Sequence, residues 1–203
     1  STALLATVAW AVAERMTPRE LGVGREGLGR GLFWGAVVGL LGSLPIRLFF
    51  AFPVVSRRAV TQPEFTGLSW PQVLWLVATR FFLGSALFEE FAFRGVLHAK
   101  LRRLLPPGPA LLVNSGIFTA WHLVITWHNL WRSNLPRPLF PVLYIGALAA
   151  LFVGGLLFGL LRQATGHLAG CVLAHWLMVA NIVFAVARPG LPRWLRGGSG
   201  GRA

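Results

Sequence analysis

The stretch Trp70-Pro-Gln-Val-Leu-Trp-Leu-Val-Ala-Thr-Arg80-Phe-Phe-Leu-Gly-Ser-Ala-Leu-Phe-Glu-Glu90-Phe-Ala-Phe-Arg94 decides how this chain is read. Its residues from Trp70 to Phe93 are long and apolar enough to cross a bilayer as one helix, which takes roughly 20 mostly apolar residues. Two adjacent acids, Glu89 and Glu90, nevertheless sit inside it, after the run Val77 to Phe88 and before Phe91-Ala-Phe93. A charge near a bilayer centre costs about 2.5 to 3.5 kcal/mol on insertion scales, so a pair of them is not kept for packing. Arg94 lies four residues after Glu90 on the same helical face and pairs with it. Glu89 points about 100° away and is left free for chemistry.

The rest of the chain agrees that this helix lies in a membrane. Of its 203 residues 55% are hydrophobic and 12% charged, and mean hydropathy is +0.65. A soluble domain carries about 25% charged residues, so disorder and a soluble globular fold are both excluded. Net charge is +13, from 19 Lys and Arg against 6 acids. The arginines fall in small groups between apolar stretches, without the basic face interleaved with exposed aromatics that nucleic acid requires. They are membrane flanks, and no nucleic-acid partner is expected. Cys171 is the single cysteine, which excludes disulfide frameworks and cysteine zinc sites.

We therefore expect an all-α polytopic membrane protein with about five to six transmembrane helices. The windows run from Gly31 to Val55, Trp70 to Phe93, Pro109 to His128, Pro138 to Leu161 and His167 to Ala187, with a partial one from Ser1 to Ala13. Pro45 and Arg47 are expected to kink or break the first. Residues Arg94 to Leu105 put Val96, Leu97, Leu101, Leu104 and Leu105 opposite Lys100, Arg102 and Arg103, the pattern of a short interfacial amphipathic helix. Three parts are expected: N-terminal spans and loops over 1–69, in a chain that starts without Met inside a longer one; a catalytic core over 70–187; and a disordered basic tail over 188–203. Orientation stays open, because nine bases fall on one side and eight on the other.

Five histidines follow the glutamates. His122 and His175 each lie deep in an apolar span, where an imidazole must find a polar partner. Two such histidines and a diglutamate on three different spans form a candidate site of Glu89, Glu90, Arg94, His122 and His175. His98, His128 and His167 read as interfacial, and Arg80 as a base snorkelling to the headgroups.

Glu-Glu-Phe-Ala-Phe-Arg from Glu89 to Arg94, Phe118 four residues before His122, and a later span with His175 resemble the CAAX protease and bacteriocin-processing family of intramembrane endopeptidases. That family carries Glu-Glu-x-x-x-Arg, Phe-x-x-x-His and His-x-x-x-Asn or Asp. The first two motifs are complete here. In the third, Val179 stands where Asn is expected, and Asn181 lies about 240° round the helix from His175. The resemblance implies a peptidase in which Glu89 and His122 activate a water, His175 stabilises the oxyanion, and Glu90 with Arg94 supports the motif. It implies no cofactor. The expected partners are membrane lipids and a peptide or protein substrate with a membrane-associated terminus or leader. The expected setting is integral to a cell membrane, the plasma membrane of a bacterium.

Other chemistries remain open at this level. Glu89, His122 and His175 could supply three zinc ligands and leave a fourth position for water. The same residues could line an ion or proton path in a transporter, although no repeated halves are seen. With Val179 in the third motif, a non-catalytic immunity or scaffold relative is the further alternative.

Overall fold

Small residues at every fourth position hold the bundle together. Gly31, Gly35, Gly39 and Ser43 form the buried face of a long helix, and this face meets Gly170, Ala174 and Leu177 of the last helix. Lipid tails are as apolar as the side chains, so membrane helices associate through close backbone packing of this kind. A methyl on Gly39 would stand 2.9 Å from Ala174 Cα. The structure is a computed structural model that describes residues 2–52 and 59–187. The expected tail at 188–203, the end of the first window and the bases Arg57 and Arg58 lie outside the described residues.

In chain order the helices are α1 (Thr2–Ala13), α2 (Pro18–Leu21), α3 (Leu28–Ala51), α4 (Trp70–Leu104), α5 (Pro107–Trp121), α6 (Leu123–Arg132), α7 (Phe140–Thr165) and α8 (Leu168–Ala187). No strand occurs among the described residues. The protein is an all-α polytopic membrane protein. Four helices (α3, α4, α7 extended back to Arg137, and α8) are long and apolar enough to cross, and α5 with α6 makes a fifth if the bent pair counts as one span. α1 is too short to cross; it packs Ala11 against Val96 and Ala99 of α4.

Three details depart from the expectations. α3 continues through Pro45 to Ala51. Arg47 finds a partner, its Nε donating to Asn181 Oδ1 at 2.6 Å, and Asn181 donates in turn to Ser43 Oγ at 3.0 Å. Second, residues 94–105 are no separate interfacial helix, because α4 runs unbroken from Trp70 to Leu104. No proline lies between Phe93 and Leu105, and at about 1.5 Å per residue the helix outruns a hydrocarbon core of about 30 Å, so its basic end projects beyond it. Third, the window around His122 is two helices bent by 43°.

A folded segment closes the end of the bundle where α4 and α7 finish and α3 and α8 begin. Thr17 caps α2 in a reciprocal box with Glu20. Glu14 accepts from Lys100 Nζ at 2.7 Å, and Glu20 pairs with Arg103 at 2.8 Å. The Lys100 ammonium holds the Glu14 carboxyl below the usual carboxylate range, and the Thr17 N–H with Arg103 does the same for Glu20. Arg162 Nη2 donates to the Glu20 carbonyl at 2.8 Å, and the Leu168 N–H donates to Gly22 O at 2.8 Å. Gly22 has φ +72° and lies over the Arg162 guanidinium, where any Cβ would stand 2.5 Å from Cζ. Only glycine meets both demands.

This closure corrects two histidines expected at the interface. His98 is buried under the segment at 5% exposure. His167 is buried as well; Ala169 N–H donates to its Nδ1, so Nε2 carries the proton and donates to Gly24 O at 2.8 Å. Arg80 lies toward the opposite end, exposed and 3.6 Å from Glu64.

Candidate active site

The middle of α4 supplies three of the five candidate residues. Its turns widen to π geometry over Val77–Leu87 and again over Phe91–Leu97, with Phe88–Glu90 between them. Such wide turns recur at functional sites. Glu89, Glu90 and Arg94 are all buried, Glu90 and Arg94 completely.

Two clusters form around the diglutamate. In the first, Ser85 Oγ donates to Glu89 Oε1 at 3.1 Å, one turn back on the same helix. Glu89 Oε2 stands 3.3 Å from His122 Nε2, without the alignment of a hydrogen bond. His122 sits at the break between α5 and α6 with φ −89° and ψ −5°, and its Nδ1 lies 2.8 Å from the Phe118 carbonyl. A carbonyl only accepts, so Nδ1 carries the proton and the lone pair of the neutral ring faces Glu89. Two acceptors facing each other in this way are set to receive a proton.

The second cluster is a buried ion pair with hydrogen-bonded neighbours. Arg94 Nη1 donates to Glu90 Oε1 at 3.1 Å, and its Nη2 lies 3.3 Å from Gly155 O on α7. His175 Nδ1 of α8 reaches the same Glu90 oxygen at 2.8 Å. Glu90 Oε1 already accepts from Arg94, so Nδ1 of His175 is the second donor to the same oxygen. The Phe158 ring stacks on His175 with centroids 5.6 Å apart.

Phe118 joins the two clusters. Arg94 Cζ lies 4.1 Å from its ring centroid, a cation–π contact inside a dry core. Its ring also stands 4.4 Å from that of His122 and 6.4 Å from that of His175.

A sequence profile described as type II CAAX prenyl endopeptidase Rce1-like matches residues 70–181, more than half of the chain. The chain belongs to the Rce1-like family. No curated protein and no solved structure gives a significant match. At the family level the Rce1-like chain is thus a CAAX-type membrane endopeptidase.

The two complete motifs of this Rce1-like chain supply Glu89, Glu90, Arg94, Phe118 and His122 of the two clusters, and the incomplete third supplies His175. Val179 packs against the apolar cluster of Phe65, Val73 and Val77 and brings no polar atom. Asn181 faces α3, where Arg47, Ser43 and the Leu177 carbonyl take up its amide. It is no substitute for the missing Asn. Among the described residues no three His, Cys, Asp or Glu side chains are placed to hold a metal.

Two polar residues of the site escaped the sequence reading. Asn114, 2% exposed, donates from Nδ2 to the Phe93 carbonyl at 2.7 Å and ties α5 to α4 beside Arg94. An amide in an otherwise apolar window was its signal. Ser85 was signalled by its place one turn before Glu89.

Proposed function

We propose that this chain is an intramembrane endopeptidase that hydrolyses a peptide bond at the membrane with a water activated between Glu89 and His122. The facing pair of Glu89 Oε2 and His122 Nε2, with Nδ1 fixed on the Phe118 carbonyl, carries this reading. As the water oxygen bonds to the peptide carbonyl carbon, its proton passes to the Glu89–His122 pair and the carbonyl π electrons move to oxygen. Collapse of the oxyanion breaks the C–N bond, and the pair returns its proton to the leaving amine. One water is consumed, and an acid and an amine are released.

His175 is assigned the oxyanion. Its Nδ1–H is committed to Glu90, so Nε2 is the ring nitrogen left to face the oxyanion, and it donates there only as an imidazolium. Arg94 is a positioning residue that holds Glu90 Oε1 in place for His175. The substrate is an extended or unwound peptide with a membrane-associated terminus or leader, since a helix hides its carbonyls in its own hydrogen bonds. A protein embedded in a bacterial plasma membrane fits this chemistry.

A cleavage assay with membrane-anchored peptides in detergent or liposomes tests the proposal. Glu89→Gln and His122→Ala are each expected to lower turnover by about 10² to 10⁴, the worth of a positioned acid or base. His128→Ala, exposed in the middle of α6, serves as the control with unchanged turnover. Chelator is expected to leave activity intact, and activity restored only by zinc would reject the metal-free mechanism.

A second reading rests on Val179, whose apolar packing leaves the third motif without its amide. A non-catalytic relative would keep its biological phenotype in Glu89→Gln, whereas the peptidase loses it.

A further inference from the structure

The bases at the closed end of the bundle divide into two groups. Lys100 and Arg103 are ion-paired with Glu14 and Glu20 and hold the segment in place. Arg19, Arg25, Arg30 and Arg162 are not ion-paired among the described residues, and all four line one cavity of about 770 Å³. The cavity lies between the segment and the end of α7, and its only acid is Glu26. Four guanidinium groups against one carboxylate leave it a formal +3.

Helix ends do not create this field. The start of α3 and the end of α7 both face the cavity, and their opposed dipoles offset one another. The arginines therefore set its sign. Arg162 forms a buried wall at 7% exposure, its Nε without a hydrogen-bond partner, while Arg19, Arg25 and Arg30 line the exposed rim. Arg30 Nη2 reaches the Thr165 carbonyl at 3.0 Å, which fixes that side chain across the cavity mouth.

We propose that this cavity binds a phosphate group. Guanidinium forks match phosphate oxygens in pairs, and several forks around one cavity suit a group with three or four acceptor oxygens. Its depth in the membrane names the source. Three spans, α3, α7 and α8, begin or end within a few residues of it, which puts it at the level of lipid headgroups. Below the rim, Leu28, Leu32 and Phe33 are 42%, 41% and 62% exposed on α3, an apolar track for the acyl chains of the same molecule. The phosphate is accordingly that of an anionic lipid, with free phosphate as the alternative source. The site is separate from Glu89 and His122 and does not depend on their role.

The test uses the full chain in detergent, titrated with phosphatidylglycerol or with inorganic phosphate, and read by native mass spectrometry and thermal unfolding. Two arginines near an anionic headgroup are together worth more than about tenfold in affinity. Arg25→Gln/Arg30→Gln is expected to lose at least that factor for phosphatidylglycerol, while Arg132→Gln/Arg137→Gln at the opposite end loses none. Arg19→Gln, whose exposed side chain bridges no elements, repeats the comparison if the first double variant unfolds. Inorganic phosphate that displaces the lipid would keep the site and make the free ion a ligand; failure to displace it assigns the headgroup. Equal lipid binding by wild type and both double variants, or no binding of either probe to wild type, overturns the proposal.

Discussion

Arg94→Met removes the one cation of the buried Glu90 cluster, and its cost follows from what remains. Arg94 and Glu90 both have side chains with no exposure, so the substitution leaves a carboxylate in the core with only the His175 Nδ1 contact at 2.8 Å. Breaking a buried pair from one side costs about 3 to 5 kcal/mol. The lost cation–π contact with Phe118 belongs to the same truncation. Glu90→Gln costs a similar amount, about 3 to 5 kcal/mol, because it leaves the Arg94 guanidinium buried without a counter-charge, although an amide oxygen can still accept from it. In the double variant no charge is left uncompensated, so its loss should fall short of the sum of the single losses by about 2 kcal/mol. Reversible unfolding in mixed micelles of a mild detergent and dodecyl sulfate measures all three variants on one scale. An additive cycle, within about 0.5 kcal/mol, would refute the argument that Glu90 and Arg94 act as one buried unit.

The contact between α3 and α8 yields a pair of opposite effects: Gly35→Ala, whose methyl would stand 2.6 Å from Gly170 Cα, is expected to cost about 1 to 3 kcal/mol. Gly29→Ala, with open space around its Cβ, is expected to stabilise by up to about 1 kcal/mol, and equal effects at both positions would sink the close-packing account. Glu14 and Glu20 have folded pKa values below their unfolded ones, so their contribution is complete above the unfolded value of about 4.3 and is lost as pH falls through the folded values. Hydrogen exchange of residues 14–22 should therefore accelerate below about pH 4, and unchanged protection near pH 3 would deny these carboxylates the role of anchors. Val179→Asn should raise turnover by tenfold or more, toward the roughly hundredfold that one oxyanion donor is worth, and an unchanged rate would mean that the donor comes from elsewhere.

What the sequence disclosed and what it hid divide along physical lines. Hydropathy over a window of about 20 residues responds to the bilayer itself, so the spans around Trp70, Pro138 and His167 were legible without tertiary information. So were the residues of the site, because an ionisable group in such a window needs a reason to be there. The partners within the site were not legible. Glu89 and Glu90 are neighbours on one helix, and which of them meets His175 depends on where α8 stands. That position is set by Gly31, Gly35 and Gly39 against Gly170 and Ala174, a small-residue stripe that average hydropathy does not detect. His98 and His167 were read as solvated for a related reason. Their local surroundings are basic and polar, and only the docking of residues 14–27 over them makes them buried.

The spacing of the second motif gains a physical meaning from Phe118. One helical turn before His122, its carbonyl fixes the imidazole tautomer that turns Nε2 toward Glu89. Its ring, on the same side of α5, lies against Arg94, the residue that pairs with Glu90 beside His175. A leucine there would keep the carbonyl and the tautomer but lose the cation–π face. The proton-sharing pair and the Glu90–Arg94–His175 cluster would then be coupled only through the backbone of α4. An aromatic residue at that position therefore links the proposed base to the proposed oxyanion donor, which are supplied by different spans, and the four-residue spacing lets one side chain touch both clusters.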